Sequence, residues 1–256
     1  MINIPTVKLG LVAVSRDCFP MELSERRREA VIQACASKGL DVCEIKTTVE
    51  NEKDVLKALD ELKNAEVNAL VVYLGTFGPE GPETMLAQKF GGPAMYVAAA
   101  EESENSLVDG RGDAYCGMLN ASYNLALRKL SPYIPEYPVG TAEEVADMIS
   151  DFEDIARVIL GLSKLKIMSF GPRPENFLAC NAPIKPLYDL GIEIMENSEL
   201  DLFEAFHNHE NDERIPALVK EMEEELGEGN RYSGILPKLA QYELTLKDWM
   251  EQNLGA

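Results

Sequence analysis

Four short apolar runs, each followed by a polar stretch of helix length, constrain this chain more than any other feature. They are KLGLVAVS (8–15), DVCEIKTT (41–48), ALVVYLG (69–75) and PAMYVAA (93–99). Runs this short, rich in Val and Leu, are strands; the longer segments between them carry helical spacing. Ser24 is in place to cap a helix ending near Lys38, where Gly39 stops it. Between 51 and 65, Val55, Leu59 and Leu62 share one helical face. Strands that alternate with helices pack as a parallel sheet covered on both faces. The expected fold class is therefore α/β, a doubly wound parallel sheet of Rossmann or flavodoxin type. Ligands in such sheets sit beyond the carboxyl ends of the strands, which points to Ser15–Cys18, Gly75–Pro79 and Ala98–Glu101.

Asp113 to about Leu130 is another helix pattern, and SPYIPEYPVG (131–140) a proline-rich connector. Thr141 with Glu144 forms a capping box ahead of an apolar stripe, Val145, Met148, Phe152, Ile155 and Ile159. The pattern then restarts. LKIMSFG (165–171) and IEIMENS (192–198) are strands, NFLACNAPIKPLYDLG carries helix signals broken by Pro183 and Pro186, and the remainder is helical. We place the domains at 1–163 and 164–256. The second offers two strands, a poor parallel core with open edges, so either further strands come from another chain or it is expected to be a truncated part of a second α/β domain.

Charge excludes some partners. The formal charge of −20 repels phosphate backbones and anionic membranes, and no apolar run reaches the roughly 18 residues of a spanning helix. Five cysteines without a CxxC fit reduced thiols, and the first apolar run reads as a strand rather than a signal peptide, so a cytoplasmic location is expected. Neither GxGxxG, nor a P-loop, nor GxSxG occurs at the strand ends.

Several residues carry possible chemistry. Arg16 and Cys18 follow the first strand, where they either line a ligand crevice or form a solvated loop. GTFGPEGPE (75–83) brings backbone close to a ligand, with Phe77 as an apolar cover; its plain alternative is a turn into a helix. Arg173 and Asn176, in GPRPENF, either contact a ligand or a neighbouring subunit or belong to a proline-stiffened loop. Arg26-Arg27-Arg28 reads as a solvated helix face, and Arg111-Gly112-Asp113 as a chance match to an adhesion tripeptide. His207 and His209, the only histidines, sit in LFEAFHNHENDE (202–213) among four acids. Two residues apart on a helix, they diverge by about 200° and cannot share an ion; on a loop they could. Surface histidines are the favoured reading.

The segments PVGTAEEVADMISDFEDIARVILGLSKLKIMSFGPRPENF and KLAQYELTLKDWMEQN resemble the L-fucose/L-arabinose isomerase family, with the N-terminal and middle parts of L-fucose isomerase-like proteins the nearest likeness. Ser15-Arg16 occupies the place of the family's Gly-Ser-Gln sugar loop, with the arginine found in fucose isomerases. Thr76-Phe77-Gly78-Pro79 is similar to the Thr-Phe-Ser-Pro loop whose phenylalanine lies against the sugar. The resemblance implies aldose–ketose isomerisation through an enediol, with manganese holding two sugar oxygens. It implies a small sugar as substrate, and a homo-oligomer, a hexamer in full-length members, whose active site a neighbouring subunit completes. The family's metal ligands are carboxylates and a histidine that align beyond residue 256. None maps onto His207, His209, Glu196 or Glu199, so no catalytic residue and no metal ligand is assigned here. The alternative class is a non-catalytic sugar-binding or regulatory module, which needs two complete lobes; an assembly domain is a third possibility.

Overall fold

The computed structural model describes residues 4–102, 111–171, 175–177, 179 and 183–253. The chain divides into two compact units, 1–161 and 162–256.

The first unit is built on a five-stranded, fully parallel sheet of order β2-β1-β3-β4-β5. Its strands are β1 (Leu9–Val14), β2 (Val42–Glu44), β3 (Ala69–Leu74), β4 (Ala94–Ala99) and β5 (Val139–Gly140). Every residue of β1, β3 and β4 is buried. This is why those runs are apolar without alternation: helices cover both faces of a parallel sheet. The α/β doubly wound class expected from the sequence is the one observed, with a small second sheet. Among the described residues no helix is long and apolar enough to cross a membrane.

Details depart from expectation for physical reasons. The first helix, α1 (Met21–Ser37), starts three residues before Ser24. Ser24 is not its cap; its buried hydroxyl donates to the Val14 carbonyl at 2.8 Å and ties α1 to the end of β1. The connector 131–140 is more than a connector. Val139 and Gly140 pair with Ala98 and Ala99, and Tyr133 bridges to Met95. A two-residue strand is too short for its periodicity to be read. Helix α2 (Glu52–Asn64) is capped by Asn51, whose side chain accepts from the Lys53 and Asp54 amides. Helix α3 (Glu80–Phe90) follows the Gly75–Pro79 loop, and α4 (Ala114–Leu127) follows β4. Helix α5 (Ala142–Leu162) opens on the expected capping box: the Thr141 amide donates to Glu144 Oε2 and the Glu144 amide to Thr141 Oγ1. Its buried stripe is Val145, Ala146, Ile149, Phe152 and Ala156. Met148 and Ile155 are only partly buried, and Ile159 is exposed.

The second unit carries a two-stranded parallel sheet, β6 (Lys166–Phe170) with β7 (Glu193–Asn197). Helices α6 (Lys185–Asp189), α7 (Glu199–Asn208), α8 (Ile215–Leu226) and α9 (Leu236–Asn253) accompany it. Its buried apolar cluster is small, Leu218, Ala240 and Leu244.

Candidate functional site

The strand order turns around between β1 and β3, so the crevice of this sheet lies beyond their carboxyl ends. Two loops leave there side by side. Ser15, at the end of β1, is fully buried and accepts a 2.9 Å hydrogen bond from the Thr76 hydroxyl at the end of β3. The bond locks the loops together below the exposed side chains. Above it the Arg16 guanidinium carbon lies 5.4 Å from the centre of the Phe77 ring, a cation–π distance. Phe19 stacks on the same ring at 5.7 Å, nearly parallel. A cleft of about 500 Å³ opens beside them, lined by Arg16, Asp17, Glu50, Asn51, Pro79 and Glu80. The wall thus holds one guanidinium, one amide and three carboxylates, all able to bond hydroxyl groups, next to an aromatic ring. Cys18 is exposed in the turn closed by the Phe19 amide on the Arg16 carbonyl.

Beneath the loop sits Glu83, on the first turn of α3 and fully buried. Neither carboxylate oxygen meets a hydrogen-bond donor among the described residues. Burial pushes this carboxyl up to about 8; Glu80 adds to the rise and Arg16 opposes it. A methyl group on Gly78 would lie 1.8 Å from Glu83 Oε2, so the glycine is what lets the loop close over the acid.

The three arginines of α1 part company. Arg26 is exposed and pairs with Glu102. Arg27 and Arg28 are not solvated: only 6% and 4% of their surfaces remain accessible. Arg27 donates to the Gly75 carbonyl and to Glu101 Oε2 at 2.8 and 2.9 Å. Glu101 in turn accepts the Gly112 and Asp113 amides, and the Phe77 amide donates to the Gly112 carbonyl. One buried arginine therefore joins the β3 loop, the end of β4 and the start of α4. Arg28 bonds Glu44, Thr48 and the Lys46 carbonyl. The tripeptide Arg111-Gly112-Asp113 is part of this clamp, and Asp113 takes a left-handed conformation to enter α4. The signal for burial was the spacing Ser24, Arg27, Arg28, Val31, Ala34, Cys35, one face of a helix, which the identity of the arginines obscured.

In the second unit, the histidines go to separate partners. His207 Nδ1 bonds the Phe203 carbonyl, while His209 bonds the Ala205 carbonyl and Asp248 Oδ2, each at 2.8 Å. His209, Asp212 and Asp248 place ligand atoms within 4.8 Å of one another, the spacing of a metal site. The cation among them is Arg214. Its guanidinium reaches Asp212 at 2.6 Å and Asp248 at 2.7 Å. It holds the Asp212 carboxyl far below the usual range and that of Asp248 down to about 2, with His209 helping at the latter. A position filled by a guanidinium, with imidazole already bonded to carboxylate, does not fit manganese. Asn176 is exposed in a turn with a positive φ of 70°; Arg173 lies outside the described residues. Of the expected site residues, the fold brings Arg16, Cys18 and Phe77 to the same loop cluster and leaves Asn176 in the other unit.

A parallel sheet of this order, with its loops gathered at the turn-around point and a polar cleft beside them, defines a protein of the doubly wound α/β class. Residues 10–163 match the family model for the fucose/sulfoquinovose isomerase N-terminal domain, and the chain belongs to that family. No curated protein matches it. Among solved structures, a transcription regulator like protein from Staphylococcus haemolyticus is 13% identical, the match covering 74% of this chain and 95% of that one. The TM-score of that match is 0.26.

Proposed function

We propose that this chain is a portion of a metal-dependent aldose–ketose isomerase and that its first unit supplies one wall of the sugar pocket. The observation that carries the reading is the Arg16–Phe77 pair at the β1/β3 turn-around point, in a chain of the fucose isomerase family. The Phe77 ring, stacked against Phe19, seats the Arg16 guanidinium at the edge of the cleft, where it can donate up to five hydrogen bonds to the hydroxyls of a sugar. Cys18 is a further rim contact. The carboxylates of Asp17, Glu50 and Glu80 accept hydroxyl protons and disfavour an anionic substrate, so a small neutral sugar suits the wall. Manganese, when bound, would stabilise the charge of an enediol. The described residues offer it no fitting site, so on this reading the metal and the proton-transferring groups lie elsewhere in the assembled enzyme. On this reading a neighbouring subunit of a homo-oligomer completes the pocket, Arg173 and Asn176 are further contact candidates, and the location is cytoplasmic. A non-catalytic two-lobed sugar module would require a second full sheet, whereas the described residues of the second unit form a two-stranded one.

The test is ligand-observed NMR saturation transfer with millimolar L-fucose. Transfer to the sugar is expected with the unaltered chain, with at least a tenfold loss in Phe77→Ala and Arg16→Gln. A signal indifferent to both substitutions, or none with the unaltered chain, removes the proposal.

A further inference from the structure

Helix α4 is unlike every other α-helix of the described residues: its sequence AYCGMLNASYNLAL holds no Asp, Glu, Lys or Arg. One side, Ala114, Gly117, Met118, Ala121 and Leu125, is buried in the first unit. The other presents Tyr115, Leu119, Tyr123 and Leu127, each about 60% exposed (61%, 58%, 64% and 63%). These four follow one i+4 ridge, and Cys116 and Ala126, between them, are exposed as well. The ridge offers roughly 450 Å² of largely apolar surface, at the upper end of what single-chain proteins leave open.

We infer that this ridge is a self-association surface, and that its occupant is the same helix of a second copy, crossing it antiparallel about a twofold axis near Ala121. Three observations select that partner. A chain of net charge −20 repels its own copies, so a contact between them has to form on a face that adds no further like charge, and α4 presents such a face. A basic partner, by contrast, would be drawn to the acidic faces. The ridge is also self-complementary: with the axis at Ala121, Tyr115 meets Leu127 and Leu119 meets Tyr123, a ring against an aliphatic chain at every level. Ridges of i±4 type pack at about −50°, and an antiparallel crossing also sets the two helix dipoles against each other favourably. Two such ridges together cover roughly 900 Å², most of the core of a standard interface, with the polar rim making up the remainder.

The location matters for the pocket. A methyl group on Gly117, on the buried side of α4, would lie 3.0 Å from the Phe77 Cα, so α4 packs directly against the loop that carries Phe77. A second copy seated on α4 is therefore held near the cleft. The inference names the surface for the self-association that the proposed function assumes, and rests on that reading for its purpose but not for its geometry.

The experiment is sedimentation equilibrium of the whole chain from 1 to 100 µM. The unaltered chain is expected to associate, with association at least tenfold weaker in Leu119→Glu and in Tyr123→Glu. Both positions are exposed, so unchanged circular dichroism is expected, and either variant serves if the other misfolds. Leu56→Glu, at an exposed position of α2, is expected to change nothing. Combining Leu119→Lys with Tyr123→Glu sets opposite charges across the axis and is expected to recover association to within a few-fold. A monomer at 100 µM, or association that survives both glutamates, overturns the surface; failure of the double variant to recover overturns the antiparallel register. Sugar contact at Phe77 is measured separately, so either result can fail without the other.

Discussion

At the scale of single residues, Glu83 is the most consequential group that the expected site did not include. Its carboxyl is neutral in the folded chain up to about pH 8, whereas in the unfolded chain it ionises near 4.5. A raised folded value means that its contribution is fully present below pH 4.5 and is lost as pH rises towards 8. Across that window the unaltered chain is expected to lose on the order of 4 kcal/mol that Glu83→Gln keeps, because the amide never ionises. Urea unfolding of both proteins at pH 5 and pH 8.5 measures this; parallel pH profiles would mean that the acid finds a partner when it ionises. Glu80 and Arg16 face it with opposite effects, so the variant is best compared with both in place. Little of this was legible beforehand. GTFGPEGPE signalled a tight loop at a strand end, and the loop is there, but nothing in the residue type glutamate announces zero exposure.

Elements show where hydrophobic period is a sufficient guide and where it is not. The runs 69–75 and 93–99 became β3 and β4 within a residue at each end, because continuous apolarity leaves a central parallel strand no other place. Helix α1 was harder, because two of its inward positions are arginines whose burial depends on acceptors from other elements, Gly75, Glu101 and Glu44. The two histidines bond separate partners, but His209 is part-buried against Asp248 rather than a surface residue, and that partner comes from far along the chain. His209 lies 39 residues from Asp248, and Arg214 lies 34 from it, so the tie between the end of α7 and α9 is tertiary. Removing the central cation in Arg214→Met leaves two neighbouring carboxylates without their shared partner and is expected to lower the melting temperature, with a smaller loss in His209→Ala. The Ala205 carbonyl and Asp248 raise the His209 value, so its share is present below pH 6.5 and fades as pH rises past the folded value. An equal effect of His209→Ala at pH 5 and pH 9 would contradict that assignment.

For the whole molecule, the two units differ in how much apolar material they enclose. The first surrounds three strands that are buried throughout. The second has a two-stranded sheet and the small cluster of Leu218, Ala240 and Leu244, less than such a sheet needs to stand alone. Unfolding in urea is therefore expected in two steps, with fluorescence of the single tryptophan, Trp249 in the second unit, changing before the bulk of the circular dichroism. One coincident transition at both signals would show that the units unfold together. The alternation of strand and helix, the absence of nucleotide-binding glycine patterns and the loops at the strand ends were determined by sequence alone, because periodicity and turn chemistry act over neighbouring residues. What only the tertiary structure decided was which distant groups meet: Ser15 with Thr76, Arg27 with Glu101, and Arg214 in the place a metal would take. Those pairings depend on strand order and on desolvation, which belong to the folded whole and are written in no short stretch of the chain.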